Sequence, residues 1–422
     1  MLCSIDKKDG QVILKILGIR ILLHSNKKNK FPDSSCQCGR TFSDGDCLDT
    51  KVDELLLFKD LQFFIEKAGN KKRVLIVTCE FEFNGASLCI FPVIDFLKNH
   101  NISCAVLSYK DGPLRKKFIE SGVDTFVIPD LYARFKEFSQ LVSRFDFIFC
   151  NTIATFDAAY FADKLHTKYL WWCHEAGLIE TIPRLKERRY GFPNLYDVLR
   201  SGVKIYTVSD YSKSILSKYT DNVGVLRYGI PDTATLTCET KRNNRVVFTT
   251  LGVEYRKGTD VLIEAVKSLP ESYQDRFLLN IVGGTNSSFA QELIADTSSY
   301  TNIRWCGYIE GDAKHKILCQ SDVVVAVSRD DPLPIAVTEG FMYSKPCLIS
   351  RTVGQKDIIN NNVEGYVVSC EDVHILSCQI AKIIDHSEVL PLAGRKARKI
   401  YELYFTMNKF EASLTQLFGA LL

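Results

Sequence analysis

The sequence predicts an α/β chain of two similar domains facing each other across a cleft, with an N-terminal appendage. Three observations lead there. The 422 residues exceed what one ordinary core organises. Short apolar runs alternate with helical patterns of about 10 to 15 residues, the mark of a parallel sheet with crossover helices. That alternation runs twice, separated by a polar stretch near 230–244.

Residues 1–70 form the appendage. Val12 to Leu23 is rich in β-branched residues and reads as a strand pair, while Asn26 to Thr50 is polar and reads as a loop. Asp53 to Ala68 returns to helical spacing through Leu56, Phe63, Phe64 and Ala68. The first domain, 71–230, opens with Arg73 to Cys79 as a buried parallel strand. Cys104 to Ser108, Thr125 to Ile128, Phe147 to Cys150, Tyr169 to Trp172, Ile205 to Val208 and Val223 to Arg227 continue the series. The second domain, 231–395, repeats it from Arg245 to Leu251. Its later strands are Leu278 to Val282, Ile303 to Trp305, Val323 to Val327, Pro346 to Ser350 and Gly365 to Val368. Residues 396–422 read as a C-terminal helix packing back across the domains, with Phe405, Phe410, Leu414 and Phe418 on one broad side.

Composition excludes several classes. Hydrophobic residues at 46% and charged residues at 24% describe a folded globular chain. A net charge of +3 gives no excess for nucleic acid, and no finger or RNA-sheet motif occurs. Fifteen cysteines scattered through apolar runs, with no secretory leader, read as free thiols in a cytoplasmic protein. No run of about 18 apolar residues predicts a membrane span. Lys27, Lys28 and Lys30 suggest at most a peripheral contact with an anionic membrane face. Cys36, Cys38 and Cys47, with His24, have poor spacing for zinc, and no Asp-x-Asp pattern is placed for a divalent ion; no metal is expected.

The stretch Ser328 to Tyr343 carries the most chemistry. Prolines 332 and 334 delay the helix to about Leu333–Ile335, so the first amides, up to Ala336, aim N–H groups at whatever sits above the preceding strand. Asp331 lies on the loop before that helix, and Glu339 about one turn inside it. A second patch, Gly252 to Asp260, follows a strand and pairs two cations, Arg256 and Lys257, with glycines, which suits a diphosphate. Gly283 and Gly284 end another strand and permit close backbone approach.

These features resemble the retaining glycosyltransferases of family 4, or group 1, of the GT-B class, of bacterial surface-polysaccharide type. Seven residues stand between Asp331 and Glu339, as between the two glutamates of that family, and Ser344-Lys-Pro, Gly354 and Asn362-x-x-Gly365 follow. The resemblance covers about residues 73–405. It implies two Rossmann-like domains, the first on the acceptor side and the second on the donor side. By it, Asp331 (with Asp330 as the alternative) binds hydroxyls of the donor sugar and Glu339 the ribose. Arg256 and Lys257 neutralise the phosphates, Gly252, Gly284 and the segment Leu333, Pro334, Ile335 and Ala336 approach the donor, and Tyr308 and Ile309 grip the base. In the first domain it implies that the Asn84-Gly85 turn approaches the donor phosphate and that His174 contacts the sugar, often at its 6-position. The first acid is usually Glu, and the loop at 252–258 is one residue short, with Val253 where Arg is common.

The function so implied is metal-independent hexosyl transfer from a nucleotide-sugar to a glycan or lipid-linked saccharide. The nucleotide-sugar is a substrate, and no cofactor is expected. Two rival readings are a nucleotide-sugar epimerase on the same fold and a catalytically inactive homologue serving as a binding or assembly subunit.

Overall fold

The computed structural model describes residues 3–8, 11–16, 19–23, 60–234, 245–369 and 371–419. Near the N-terminus β1 (Cys3–Lys8), β2 (Gln11–Ile16) and β3 (Ile19–Leu23) form an antiparallel sheet in the order β1-β2-β3, so the expected hairpin is present. The polar stretch 26–50, with its lysines and cysteines, lies outside the described residues, as does His24. Residues 60–68 are helical.

The first α/β unit contains β4 (Arg73–Thr78), β5 (Ser103–Ser108), β6 (Asp124–Val127), β7 (Phe147–Asn151), β8 (Tyr169–Cys173), β9 (Ile205–Thr207) and β10 (Val223–Val225). They form one parallel sheet in the order β10-β9-β8-β7-β4-β5-β6. The second unit has β11 (Val246–Leu251), β12 (Phe277–Val282), β13 (Ile303–Gly307), β14 (Val323–Ala326), β15 (Cys347–Ser350) and β16 (Gly365–Val368). Its parallel order is β13-β12-β11-β14-β15-β16. Helices cover both faces of these sheets, which is why strands such as Val74–Val77 and Val323–Val325 are apolar without alternation.

Strand order reverses direction at β4/β7 in the first sheet and at β11/β14 in the second. Crossovers leave to opposite sides at such points, and the helices part to open a crevice beyond the carboxyl ends of the strands. Asn84 and Gly85 follow β4. Arg256 and Lys257 follow β11, and Asp331 follows β14. The fold therefore places these three motifs at the switch points.

The units share a core. Tyr228, buried at the end of the first, donates its hydroxyl to Leu333 O at 2.8 Å and lies 3.1 Å from Thr338 Oγ1 in the second. The C-terminal segment departs from the single helix expected. It breaks after Leu390–Tyr404 and restarts as Met407–Phe418. Thr406 causes the break: its side chain accepts from Lys409 N and caps the new helix. At the break Ile230 N donates to Phe405 O at 2.9 Å, and Gly229 packs so closely that a methyl there would stand 2.8 Å from Phe410 Cβ. Phe418 then inserts beside Phe96, Phe147 and Phe149 of the first unit, and Phe410 stacks on Trp172.

Eight described cysteines are free, all but Cys306 and Cys378 of them buried. No helix among the described residues is long and apolar enough to cross a membrane.

Truncating Phe418 to alanine leaves a cavity among three rings. The expected loss is about 3 to 5 kcal/mol of stability, read by denaturant unfolding. An unchanged midpoint would mean that the C-terminal helix does not anchor on the first unit.

Candidate active site

The turn after β11 is fixed by sterics. Gly258 has φ +69°, and a methyl there would come within 2.3 Å of Val327 O on the neighbouring strand. Only glycine allows that approach. Arg329, three residues past the end of β14, clamps the same turn. Its guanidinium pairs with Asp260 at 2.8 Å and Glu371 at 2.6 Å, and lies 3.7 Å from the Tyr255 ring centroid. Arg329 is thereby a structural cation, committed to the turn.

The clamp aims two other cations at one carboxylate. Lys257 Nζ sits 2.5 Å from Asp331 Oδ2, and Arg256 Nη1 sits 3.3 Å from the same oxygen. Arg256 also donates to Asp330 O at 2.8 Å. Asp331 is buried, and its segment is tied on both sides: Asp331 N donates to Thr352 O at 3.0 Å, and Gly354 N to Asp331 O at 3.0 Å. Burial alone would push the Asp331 carboxyl up. Lys257 and Arg256 outweigh that and hold it below the ordinary carboxylate range.

The helix Ile335–Met342 begins just beyond, with Pro334 at its cap position. Its first amides have no partner inside the helix and add a positive pole to the two cations. Leu333 and Pro334 serve the frame instead, since the Leu333 carbonyl takes the Tyr228 hydroxyl and the Pro334 carbonyl takes Gln355 Nε2 at 2.9 Å. Glu339, further along this helix, pairs with Lys314 Nζ at 2.5 Å; burial raises its pKa, and Lys314 opposes that shift.

Beside this charged corner lies a cavity of about 410 Å³. Gly252, Gly284, Tyr308 and Ile309 line it, as expected together, and so do Glu254, Asn286, Ser287, Phe289 and Lys314, which sequence reasoning missed. Lys257 bridges cavity and corner, because its stem runs along Gly252, where a methyl would stand 3.4 Å from Lys257 Cε. Lys314 carries no local signal: it lies on the helix Gly311–Gln320 and meets Glu339 only through the fold.

Asp330 points elsewhere. Its Oδ1 accepts from Tyr211 OH at 2.8 Å and from Gly177 N at 3.3 Å, both in the first unit. Lys356 stands 5.5 Å from the Tyr211 ring centroid on its other side. Asp330 thus ties the two units together. From the first unit, Gly85 faces the helix mouth, a methyl there lying 3.7 Å from Ile335 Cδ1, and Asn84 caps its own short turn by accepting from Ser87 N at 2.9 Å. His174 is half-buried, with its ring 4.3 Å from Trp172 and Nε2 3.1 Å from Asn151 Oδ1. No group of metal-binding side chains occurs among the described residues.

Asp331→Asn would leave two half-buried cations without their buried carboxylate partner. At pH 7 the expected loss is about 3 kcal/mol, the low end for breaking a buried pair. The folded protein holds this carboxyl below its unfolded value, so its contribution is complete above about pH 4 and fades as pH falls through the lower folded value. Thermal unfolding of wild type and variant should therefore differ at pH 7 and converge under acid. A gap that persists below pH 3 would refute the triad's electrostatic origin.

The chain is similar in fold to known proteins. Residues 239–400 match the family model described as glycosyl transferases group 1. A curated relative, an uncharacterized glycosyltransferase of Methanocaldococcus jannaschii, is 22% identical over 151 residues, which are 36% of this chain and 38% of that protein. The chain thus spans about two fifths of that relative's length. Among solved structures, HepE of Anabaena in complex with UDP and glucose superposes with a TM-score of 0.66 at 14% identity, covering 82% of this chain and 99% of that one. A glycosyltransferase of Rickettsia africae gives 0.68 at 18% identity, covering 83% and 99%. The chain has the GT-B glycosyltransferase fold, and its C-terminal half carries the group 1 glycosyl transferase match.

Proposed function

We propose that this chain is a retaining, metal-independent hexosyltransferase of family 4 type. It moves a sugar from a nucleotide-sugar to a glycan or lipid-linked saccharide of a surface-polysaccharide pathway, at the cytoplasmic face of the membrane. One observation carries the reading: Arg256 and Lys257 converge on the single carboxylate of Asp331 at the mouth of a helix, and a nucleoside-sized cavity adjoins them. A diphosphate is the ligand that both halves of that arrangement suit. In this reading the base and ribose occupy the cavity beside Tyr308 and Ile309, with Glu339 on the ribose hydroxyls.

The chemistry follows from where charge grows. As the bond from anomeric carbon to phosphate breaks, negative charge accumulates on the β-phosphate. Lys257, Arg256 and the amides of Ile335 and Ala336 meet it without rearranging. Asp331 does two things here. It holds both cations in register before the donor arrives, and it accepts hydroxyls of the donor sugar afterwards. The acceptor attacks on the face that the phosphate leaves and gives its proton to that phosphate, so no side chain need act as nucleophile. Closure of the two units excludes water and protects the donor from hydrolysis. The acceptor enters from the first unit, beside Gly85 and His174.

A screen of UDP-, GDP-, dTDP- and CMP-sugars by thermal shift tests this. One donor is expected to raise the unfolding temperature, and Lys257→Ala and Glu339→Ala should each remove most of the shift. Lys257→Ala should also cost about 3 kcal/mol in the transition state, roughly 100-fold in kcat/KM. Undiminished binding in both variants would overturn the assignment. Product analysis separates transfer from epimerisation and from binding without turnover.

A further inference from the structure

The first unit holds a buried polar chain that the donor cavity does not explain: Ala86 O, Asn151 and His174 at the carboxyl ends of β4, β7 and β8. We propose that Asn151 is a positioning residue that fixes His174 as its Nε2–H tautomer. Nδ1 then meets the donor sugar as a hydrogen-bond acceptor and selects a sugar presenting a hydroxyl over a hexuronate presenting a carboxylate. This rests on the nucleotide-sugar reading of the cleft.

The argument begins at a backbone carbonyl. Asn151 is fully buried, and its Nδ2 donates to Ala86 O at 3.1 Å. A carbonyl only accepts, so the amide group cannot be turned the other way round. Asn151 Oδ1 must then be the atom 3.1 Å from His174 Nε2. An amide oxygen also only accepts, so Nε2 carries the hydrogen. Burial holds the imidazole neutral by pushing its pKa down to about 3. A neutral ring has one N–H, which leaves a lone pair on Nδ1.

That lone pair has no hydrogen-bond partner among the described residues, and the His174 side chain keeps some exposure. The ring is held from turning by the Trp172 face at 4.3 Å, and the His174 backbone N is tied to Glu175 Oε2 at 2.9 Å. Three residues on, Gly177 N reaches Asp330 Oδ1 at 3.3 Å, so this loop lies against the segment that carries Asp331. A sugar hydroxyl completes the Nδ1 lone pair. A carboxylate offers only lone pairs of its own, and both partners lose their hydrogen bond. The same Asn151 also holds the Gly85 turn through Ala86, coupling the turn to the histidine.

The test uses the full chain with ¹⁵N-labelled histidine. Long-range ¹H–¹⁵N spectra of the wild type near neutral pH should show His174 as the Nε2–H tautomer, assigned by its loss in His174→Gln. With the nucleotide identified by the donor screen, its hexose should bind at least tenfold more tightly than its hexuronate. Asn151→Ala should give a mixture of tautomers and shrink that ratio toward one. Asn151→Asp, which keeps an acceptor toward Nε2, should restore the single Nε2–H form. A wild-type Nδ1–H tautomer, or equal affinity for hexose and hexuronate, overturns the inference even if donor binding is strong. Absence of any nucleotide-sugar binding sinks the parent reading instead, and leaves the tautomer measurement standing on its own.

Discussion

The structure of the cleft depends on one buried carboxylate flanked by two cations. Asp331 alone would be expelled by the low polarity around it, and Arg256 and Lys257 alone would repel one another. Together they form a corner that holds without a ligand, and Glu254, whose Oε2 lies 3.9 Å from Arg256 Nη2, adds a second carboxylate to it. The rest of the second unit is organised to keep that geometry. Gly258 permits the turn to touch the neighbouring strand, and Arg329 spends its whole guanidinium holding the turn down. The backbone N–H and C=O of Asp331 are both bonded to the loop at 352–354.

The first unit adds uncharged polar groups to its wall of the cleft. Asn84, Asn151 and His174 bring hydrogen bonds without net charge, and Thr152 adopts φ +79° directly after β7. Non-glycine residues with positive φ concentrate where the surrounding structure imposes them. Here the imposing element is the carboxylate of Glu175, buried, which accepts the amides of Ile153 and His174 at 2.9 Å each and so ties the loops after β7 and β8 together. One wall of the cleft orders charge; the other orders lone pairs.

Much of this was legible in the sequence because it is local. Most strands of both parallel sheets show as apolar runs, since strands covered on both faces need no alternation. The motifs around Arg256 and Asp331 follow their strands directly, so their place beyond the sheet's carboxyl edge follows from strand polarity alone. What was not legible is what the fold brings from afar. Lys314 reaches Glu339 from another helix, Asn151 reaches His174 from another strand, and Tyr211 reaches Asp330 from the other unit. Asp330 and Asp331 look interchangeable on paper, and only burial and partners separate a clasp from a cation holder. The break at Thr406 was hidden because apolar spacing continues across it, while the cap that restarts the helix is a single hydroxyl.

Asp330 and Asp331 are adjacent in the chain, yet their side chains reach different partners. One grips the neighbouring unit, and the other grips the positive pair. A swing that parts the units must therefore pull on the very peptide whose next residue sets the electrostatics of the donor corner. Mechanical motion and charge recognition share a single covalent link, with no relay of intermediate contacts between them.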